Sequence, residues 1–238
     1  MKYLIFDTET TGLPPNDIKS VSQLTFSRWP RIVSLSFIVY DTITREKQIY
    51  DKIACLPEDA EMSEETVSIH GISKEISRKH GVPTIDILNE FLEQYYSVDC
   101  VSGHNVNFDV NMVMSELYRL KATTTCDETQ INTHIQQLAL DARTRNSKIC
   151  CTMKIGKDLC AIKSLDKNGK AYIKSPKLIE LYQQLFDDEK EFKLVARKLH
   201  NSFIDVLVTF RCFYKIHHKI DICSYDETIG ELWLSTFV

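Results

Sequence analysis

Glycine and proline are scarce in this 238-residue chain, at 7 and 6 residues, which excludes a collagen-like repeat and a Pro/Gly-rich disordered tract. No apolar run comes near the roughly 18–20 residues that cross a bilayer, so no membrane association is expected. The opening Met1-Lys2-Tyr3-Leu4-Ile5-Phe6 stays apolar for only four residues before Asp7, too short for a secretory leader. The eight cysteines form no C-x-x-C pair and no H-x3–5-H run accompanies them, against a disulfide scaffold, a thioredoxin-like site or a zinc ribbon. Cys150-Cys151 with Cys160 is the nearest approach to a metal cluster, and no histidine is close to it in sequence. The expectation is an intracellular protein of cytoplasm or nucleus, not secreted, with reduced thiols.

An excess of positive charge is also lacking. The chain has 29 Lys/Arg against 33 Asp/Glu, a net charge of −4, which argues against a general nucleic-acid binder. The distribution is uneven: residues 1–142 balance at −9, residues 143–177 at +8, and residues 178–238 at −3. The middle stretch runs from Arg143 and Arg145 through Lys148, Lys154, Lys157, Lys163, Lys167, Lys170, Lys174 and Lys177. Such a run either steers a polyanion or is a solvated lysine-rich loop.

Several elements are legible. Lys2–Thr8, Ile32–Tyr40 and Gln48–Ala54 read as strands whose short connections make an antiparallel meander. Residues 14–30 read as a loop and Val98–Ser102 as a further strand. Thr84–Tyr96, Ile131–Ala142 and Pro176–Phe186 have helical spacing. Asn105–Leu120 is the strongest helix, with Val110, Val113, Met114 and Leu117 on one face and Asn105 or Asn107 able to cap it. Phe203–Ile216 is apolar nearly all round, the mark of a buried helix. Residues 228–237 form a last short helix. Strands first and helices alternating later suit one α/β domain over residues 1–238, with a lysine-rich variable segment at 124–177.

A few polar residues sit where a core would not want them. Asp7 and Glu9 end an apolar strand two residues apart, so they point to the same side, and crowded like charges there need a cation or a proton between them. Asp109 follows Gly103-His104-Asn105 in the first turn of the best helix, a position the helix dipole alone would explain. Asp205 lies inside the most apolar helix, where a bare carboxylate costs several kcal/mol unless it finds a partner. His200 precedes it by five residues.

Phe6-Asp7-Thr8-Glu9-Thr10-Thr11-Gly12-Leu13, His104-Asn105-Val106-Asn107-Phe108-Asp109 and His200-Asn201-Ser202-Phe203-Ile204-Asp205 resemble, in order, the three motifs of the DnaQ-like, or DEDDh, 3′→5′ exonucleases. Trp29-Pro30-Arg31-Ile32-Val33 and Ile69-His70-Gly71-Ile72 look like secondary features of the same family. The motifs span residues 6 to 205. Ser202 stands where the family usually has Ala, and the stretch 124–177 has no clear counterpart.

The resemblance implies a ribonuclease-H-like fold, a mixed five-stranded sheet flanked by helices, and two divalent metals, Mg2+ or Mn2+. Asp7, Glu9 and Asp205 would hold the first metal, Asp7 would bridge to the second, and Asp109 would support that one through water. His200 would be the general base, a task suited to imidazole's near-neutral pKa. Thr10, Gly12, Leu13, His70, Asn105 and Phe108 would contact the substrate, with Leu13 and Phe108 against terminal bases. The implied activity releases nucleoside 5′-monophosphates from single-stranded or frayed 3′ ends, DNA favoured, in proofreading or repair and with a polymerase or replication partner. An exoribonuclease trimming RNA ends is the alternative. A catalytically silent binding subunit is remote, because all four acids and the histidine are present. The apolar tail Glu231–Val238 is either a packed last helix, the favoured view, or a docking segment.

Overall fold

Alternation along the first strand sets the layout. In β1 (Lys2–Thr10), Leu4 and Phe6 pack on one face with Leu35, Phe37, Phe91 and Val110. Tyr3 and Ile5 pack on the other with Ile38, Tyr40, Val208 and Phe210. Both faces of this strand are therefore covered, which is why Tyr3–Phe6 is a continuous apolar run. The structure is a computed structural model and describes residues 1–123, 127–144 and 147–237.

β2 (Ile32–Asp41) and β3 (Lys47–Ile53) complete the antiparallel meander expected from the sequence. β4 (Cys100–Gly103) runs parallel to β1, and β5 (Ile149–Cys151) runs parallel to β4. The resulting mixed five-stranded sheet has the order β3-β2-β1-β4-β5. β4 pairs with β1 only from Tyr3 to Ile5, so the Asp7–Thr10 end of β1 projects past it. A Cβ on Gly103 would lie 2.9 Å from the Phe6 carbonyl oxygen. Only glycine lets the chain turn there so close to β1.

α1 (Glu64–His70) and α2 (Lys74–His80) are short and N-capped by Ser63 and Ser73. α3 (Thr84–Ser97), α4 (Val106–Thr123) and α5 (Glu128–Arg143) supply the first face. α6 (Thr152–Cys160) follows β5 directly and leads to a separate hairpin, β6 (Lys163–Leu165) and β7 (Ala171–Ile173). α7 (Leu178–Leu185), α8 (Glu189–Lys198), α9 (Ser202–His218), α10 (Ile222–Tyr225) and α11 (Glu227–Phe237) cover the second face. None of the helices is long and apolar enough to cross a membrane among the described residues.

Neither Asn105 nor Asn107 caps α4 with its side chain among the described residues: Asn105 takes a left-handed backbone (φ 70°), and its carbonyl accepts the Phe108 N–H at 2.8 Å. Residues 124–126 and 145–146 of the lysine-rich segment lie outside the described residues, and the described remainder is α5, β5, α6 and the β6–β7 hairpin with short connections, not one solvated loop.

The apolar tail is packed. Ile229, Trp233 and Phe237 are buried on the second core, and the Trp233 indole N–H donates to Glu191 at 2.6 Å. Arg211 of α9 fixes this corner, bonding Glu191 and Asp221 at 2.7 Å each with its guanidinium 4.3 Å from the Trp233 ring centre.

Candidate active site

Strand alternation carries Asp7 and Glu9 to the same side of the sheet as Tyr3 and Ile5, the side α9 covers. Asp205, in the first turn of α9, meets them there. One carboxylate oxygen from each of Asp7, Glu9 and Asp205 lies within 4.8 Å of the others. Asp205 Oδ2 accepts the backbone N–H of His200 at 3.2 Å, while its Oδ1 is buried with no hydrogen-bond partner.

Thr8, between the two acids, faces the opposite layer. There it donates its backbone N–H and its hydroxyl to Asp109 Oδ1 at 3.2 and 2.8 Å. Asp109 is 2% exposed. It lies outside the three-oxygen grouping but close enough for its charge to act on Asp7. The dipole explanation for Asp109 is thus incomplete, because Thr8 aims this carboxylate at the end of β1.

The electrostatics are those of acids short of counter-charge. Burial pushes Asp7 well above the usual carboxylate range, and Asp109, Asp205 and Glu9 push it further. Burial raises Glu9 to about 7. Asp109 is raised to about 7 by burial, against the opposing pull of the Thr8 hydrogen bonds. Asp205 is raised to about 8 by burial and then by the charge of Glu9. The donor set is carboxylate oxygen alone, which suits a hard divalent ion such as Mg2+ or Mn2+. The orphaned Asp205 Oδ1 fits such a ligand, since a buried acceptor without a partner is costly. Among the described residues no comparable group of three potential metal ligands includes a cysteine. Cys150 instead has its sulfur 3.4 Å from His217 Nε2, a histidine distant in sequence.

His200 sits between α8 and α9, its side chain exposed and its backbone left-handed (φ 72°). Non-glycine residues rarely adopt that conformation, and such strain clusters at functional sites. Asn201 caps α9 through the Ile204 N–H at 3.1 Å. Ser202 lies beneath, its hydroxyl 2.9 Å from Ser34 and 2.7 Å from Ser36. Ser36 in turn donates to Asp51 at 2.8 Å. Serine in place of the family's alanine is therefore accommodated by a buried hydroxyl chain anchoring α9 to β2 and β3.

The other expected contacts divide. Leu13 is 84% exposed, and space around Gly12 is open. Thr10 is buried and its hydroxyl is spent on the Gly12 carbonyl at 2.7 Å. Thr11 exchanges two hydrogen bonds with the Arg31 backbone, which staples the corner to the Trp29–Ile32 segment. His70 is only 7% exposed. Gly71 ends α1 in the left-handed region (φ 77°), and His70 Nδ1 accepts the Ile72 N–H at 3.1 Å. Its ring also interacts with the Thr10 backbone, while its buried Nε2 closes no hydrogen bond. His70 thus underlies the corner instead of presenting its ring to solvent, because the helix end turns it inward. Asn105 is exposed, and Phe108 is half-buried beside Trp29, ring centres 6.4 Å apart.

His104 was not singled out from the sequence. Its ring lies 3.0 Å from the Thr152 hydroxyl through Nδ1 and 3.1 Å from the Pro176 carbonyl through Nε2, and burial lowers its pKa to about 4. The signal was its place at the head of the second motif. Glu116 and Arg119 on α4 were also missed. Glu116 accepts the Ile32 N–H, and Arg119 donates to the Phe26 and Trp29 carbonyls, clamping the long loop beside the corner.

Mixed sheet, flanking helices and an acidic grouping at the end of the central strand define a ribonuclease-H-like fold with a carboxylate site. The chain belongs to the exonuclease family of RNase T type, whose model matches residues 4–169. The third motif lies beyond that range and joins the site only through the fold. Solved structures agree in architecture. Escherichia coli exonuclease I bound to a dT13 oligonucleotide is 15% identical with a TM-score of 0.57, covering 92% of this chain and 42% of that one. The same enzyme with a dA16 oligonucleotide gives 17% and 0.58, over 92% and 41%. Exonuclease I from Methylocaldum szegediense gives 15% and 0.55, over 92% and 41%. The chain thus spans about two fifths of the length of these structures. A comparison with curated proteins finds no match.

Proposed function

We propose that this protein is a metal-dependent 3′→5′ exonuclease that hydrolyses phosphodiester bonds at single-stranded or frayed DNA ends and releases nucleoside 5′-monophosphates. The observation that carries this is the meeting of Asp7, Glu9 and Asp205 within 4.8 Å, with the buried Asp205 Oδ1 left without a protein partner. The oligonucleotide complexes of structurally similar exonuclease I support DNA as the substrate.

Asp7, Glu9 and Asp205 would hold one Mg2+ or Mn2+ ion, and Asp7 with Asp109 would hold a second. When bound, the ions supply Lewis-acid charge to the attacking water and the scissile phosphate. The remaining work belongs to the chain. The exposed His200 imidazole takes the proton from the attacking water. Thr8 keeps Asp109 from rotating away. The Thr10–Gly12 corner, tied to Arg31, presents open backbone for the terminal sugar, while Leu13 and Phe108 offer apolar surface to the last bases.

The test is digestion of matched 3′-labelled and 5′-labelled single-stranded DNA and RNA with Mg2+, with Mn2+ and with EDTA. Stepwise loss from the 3′ end of DNA, abolished by EDTA, is expected. Preference for RNA moves the substrate to RNA ends. No cleavage by folded protein with either metal overturns the enzyme reading.

A further inference from the structure

We infer that α6 and the β6–β7 hairpin form a guide for the single-stranded DNA backbone upstream of the cleaved end. This rests on the nuclease reading for its substrate, but its surface is separate from the acidic site. Lys154, Lys157, Lys163, Lys167 and Lys170 are all exposed, and among the described residues none is in an ion pair. The sequence on either side of this basic stretch is net acidic, and only Asp158 and Asp166 offset the cations within it, so positive charge is concentrated on α6 and the hairpin of a protein of net charge −4. Lysines without acidic partners on one short unit repel, and a polyanion relieves that repulsion.

Not every cation of the run belongs. Lys148 lies over the Tyr95 ring, 3.8 Å from its centre, and donates to the Tyr95 carbonyl. Lys174 pairs with Glu180 at 2.5 Å. The free lysines instead cluster on α6 and the hairpin, where Leu165 is 67% and Tyr172 48% exposed. The register puts Leu165 on the Lys163 side of the hairpin and Tyr172 on the other, so each side offers an apolar or aromatic group to unstacked bases, which suits a flexible single strand better than a membrane or an acidic peptide.

The hairpin is also fastened to the catalytic end of the sheet. Lys174 N–H closes the ladder on the Ile162 carbonyl at 3.0 Å. Two residues on, the Pro176 carbonyl meets His104 Nε2 at 3.1 Å. The other ring nitrogen of His104 meets Thr152, the first residue of α6, at 3.0 Å. One histidine, five residues before Asp109, thus holds both ends of the α6–hairpin unit against the start of α4. A basic unit fixed in this way to the end of the sheet lowers the ordering cost of a bound strand.

The experiment measures binding of a fluorescein-labelled dT20 strand in EDTA, so that it does not depend on catalysis. The full chain is compared with the exposed-residue variants K163S/K167S/K170S and Y172A, each checked by circular dichroism and melting. The triple variant is expected to weaken dT20 binding about tenfold. Its slope of log affinity against log salt should flatten by roughly 2, near the ~0.7 per phosphate contact of single strands. Y172A is expected to lose about fivefold, with an unchanged salt slope. Affinity and slope unchanged in the folded triple variant would overturn the guide even if the protein digests DNA. A wild type that binds dT20 through these lysines but cleaves nothing would keep the guide and sink the nuclease reading instead.

Discussion

Asp205 Oδ2 accepts the backbone N–H of His200 at 3.2 Å, and His200 holds a left-handed backbone (φ 72°) while doing so. The proposed base and a proposed metal ligand are thereby linked through main chain, leaving the imidazole free. Substituting His200→Gly should remove the ring and relieve the backbone together. We expect melting temperature to hold or rise, turnover to fall by ~10²–10⁴, and Mn2+ affinity by calorimetry to change less than threefold. Near-full turnover would refute the general-base role.

The orphaned Oδ1 makes Asp205 a sharp test of metal binding. Asp205→Asn keeps the shape and the acceptor for the His200 N–H but loses the charge. Mn2+ titration is expected to show at least a tenfold loss of affinity, and Asp7→Ala should abolish metal-dependent turnover with the fold intact. Unchanged Mn2+ affinity in Asp205→Asn would remove it from the site.

Raised carboxylate pKa values have a stability consequence of definite sign. Glu9, Asp109 and Asp205 titrate near 7 to 8 in the folded chain and near 4 when unfolded. Between those values the folded state binds more protons, so stability must fall as pH rises. Metal-free protein should melt progressively lower from about pH 5 to pH 8. Mg2+ or Mn2+ should restore much of that loss at pH 8 and little at pH 5. A flat metal-free profile would mean these acids do not retain protons.

The hydroxyl chain under His200 predicts a substitution with structural but little catalytic effect. Ser36 spends its proton on Asp51, so Ser202 donates to Ser36 and accepts from Ser34. Ser202→Ala should cost about 1 kcal/mol in chemical denaturation, the usual net worth of such bonds, with turnover within twofold. A large loss of turnover would show that the chain aligns His200.

Trp233 separates core from docking. Buried against the second core and bonded to Glu191, it should cost ~3–5 kcal/mol as Trp233→Ala, seen as a lowered denaturation midpoint. A stable variant would return the C-terminal helix to the surface.

Much of this was legible because it depends on short periodicities. The alternation of β1 foretold that Asp7 and Glu9 share a side, and the near-uniform apolarity of Phe203–Ile216 foretold a helix buried between layers. β5 was not legible, since three residues carry no period, and α1, α2 and α8 were hidden by brevity or charge. The inward turn of His70 depends on the helix end at Gly71, the anchoring by His104 on residues 48 and 72 positions away, and the orientation of Asp109 on Thr8 from another layer. Residue types and their local spacing pointed to the proposed chemistry, four acids and a histidine on recognisable elements. Only the tertiary structure decided which oxygens meet, which acid stays without a partner and which lysines remain free. Burial and charge proximity are properties of packed layers, and they join residues such as Asp7 and Asp205 that nearly the whole chain separates.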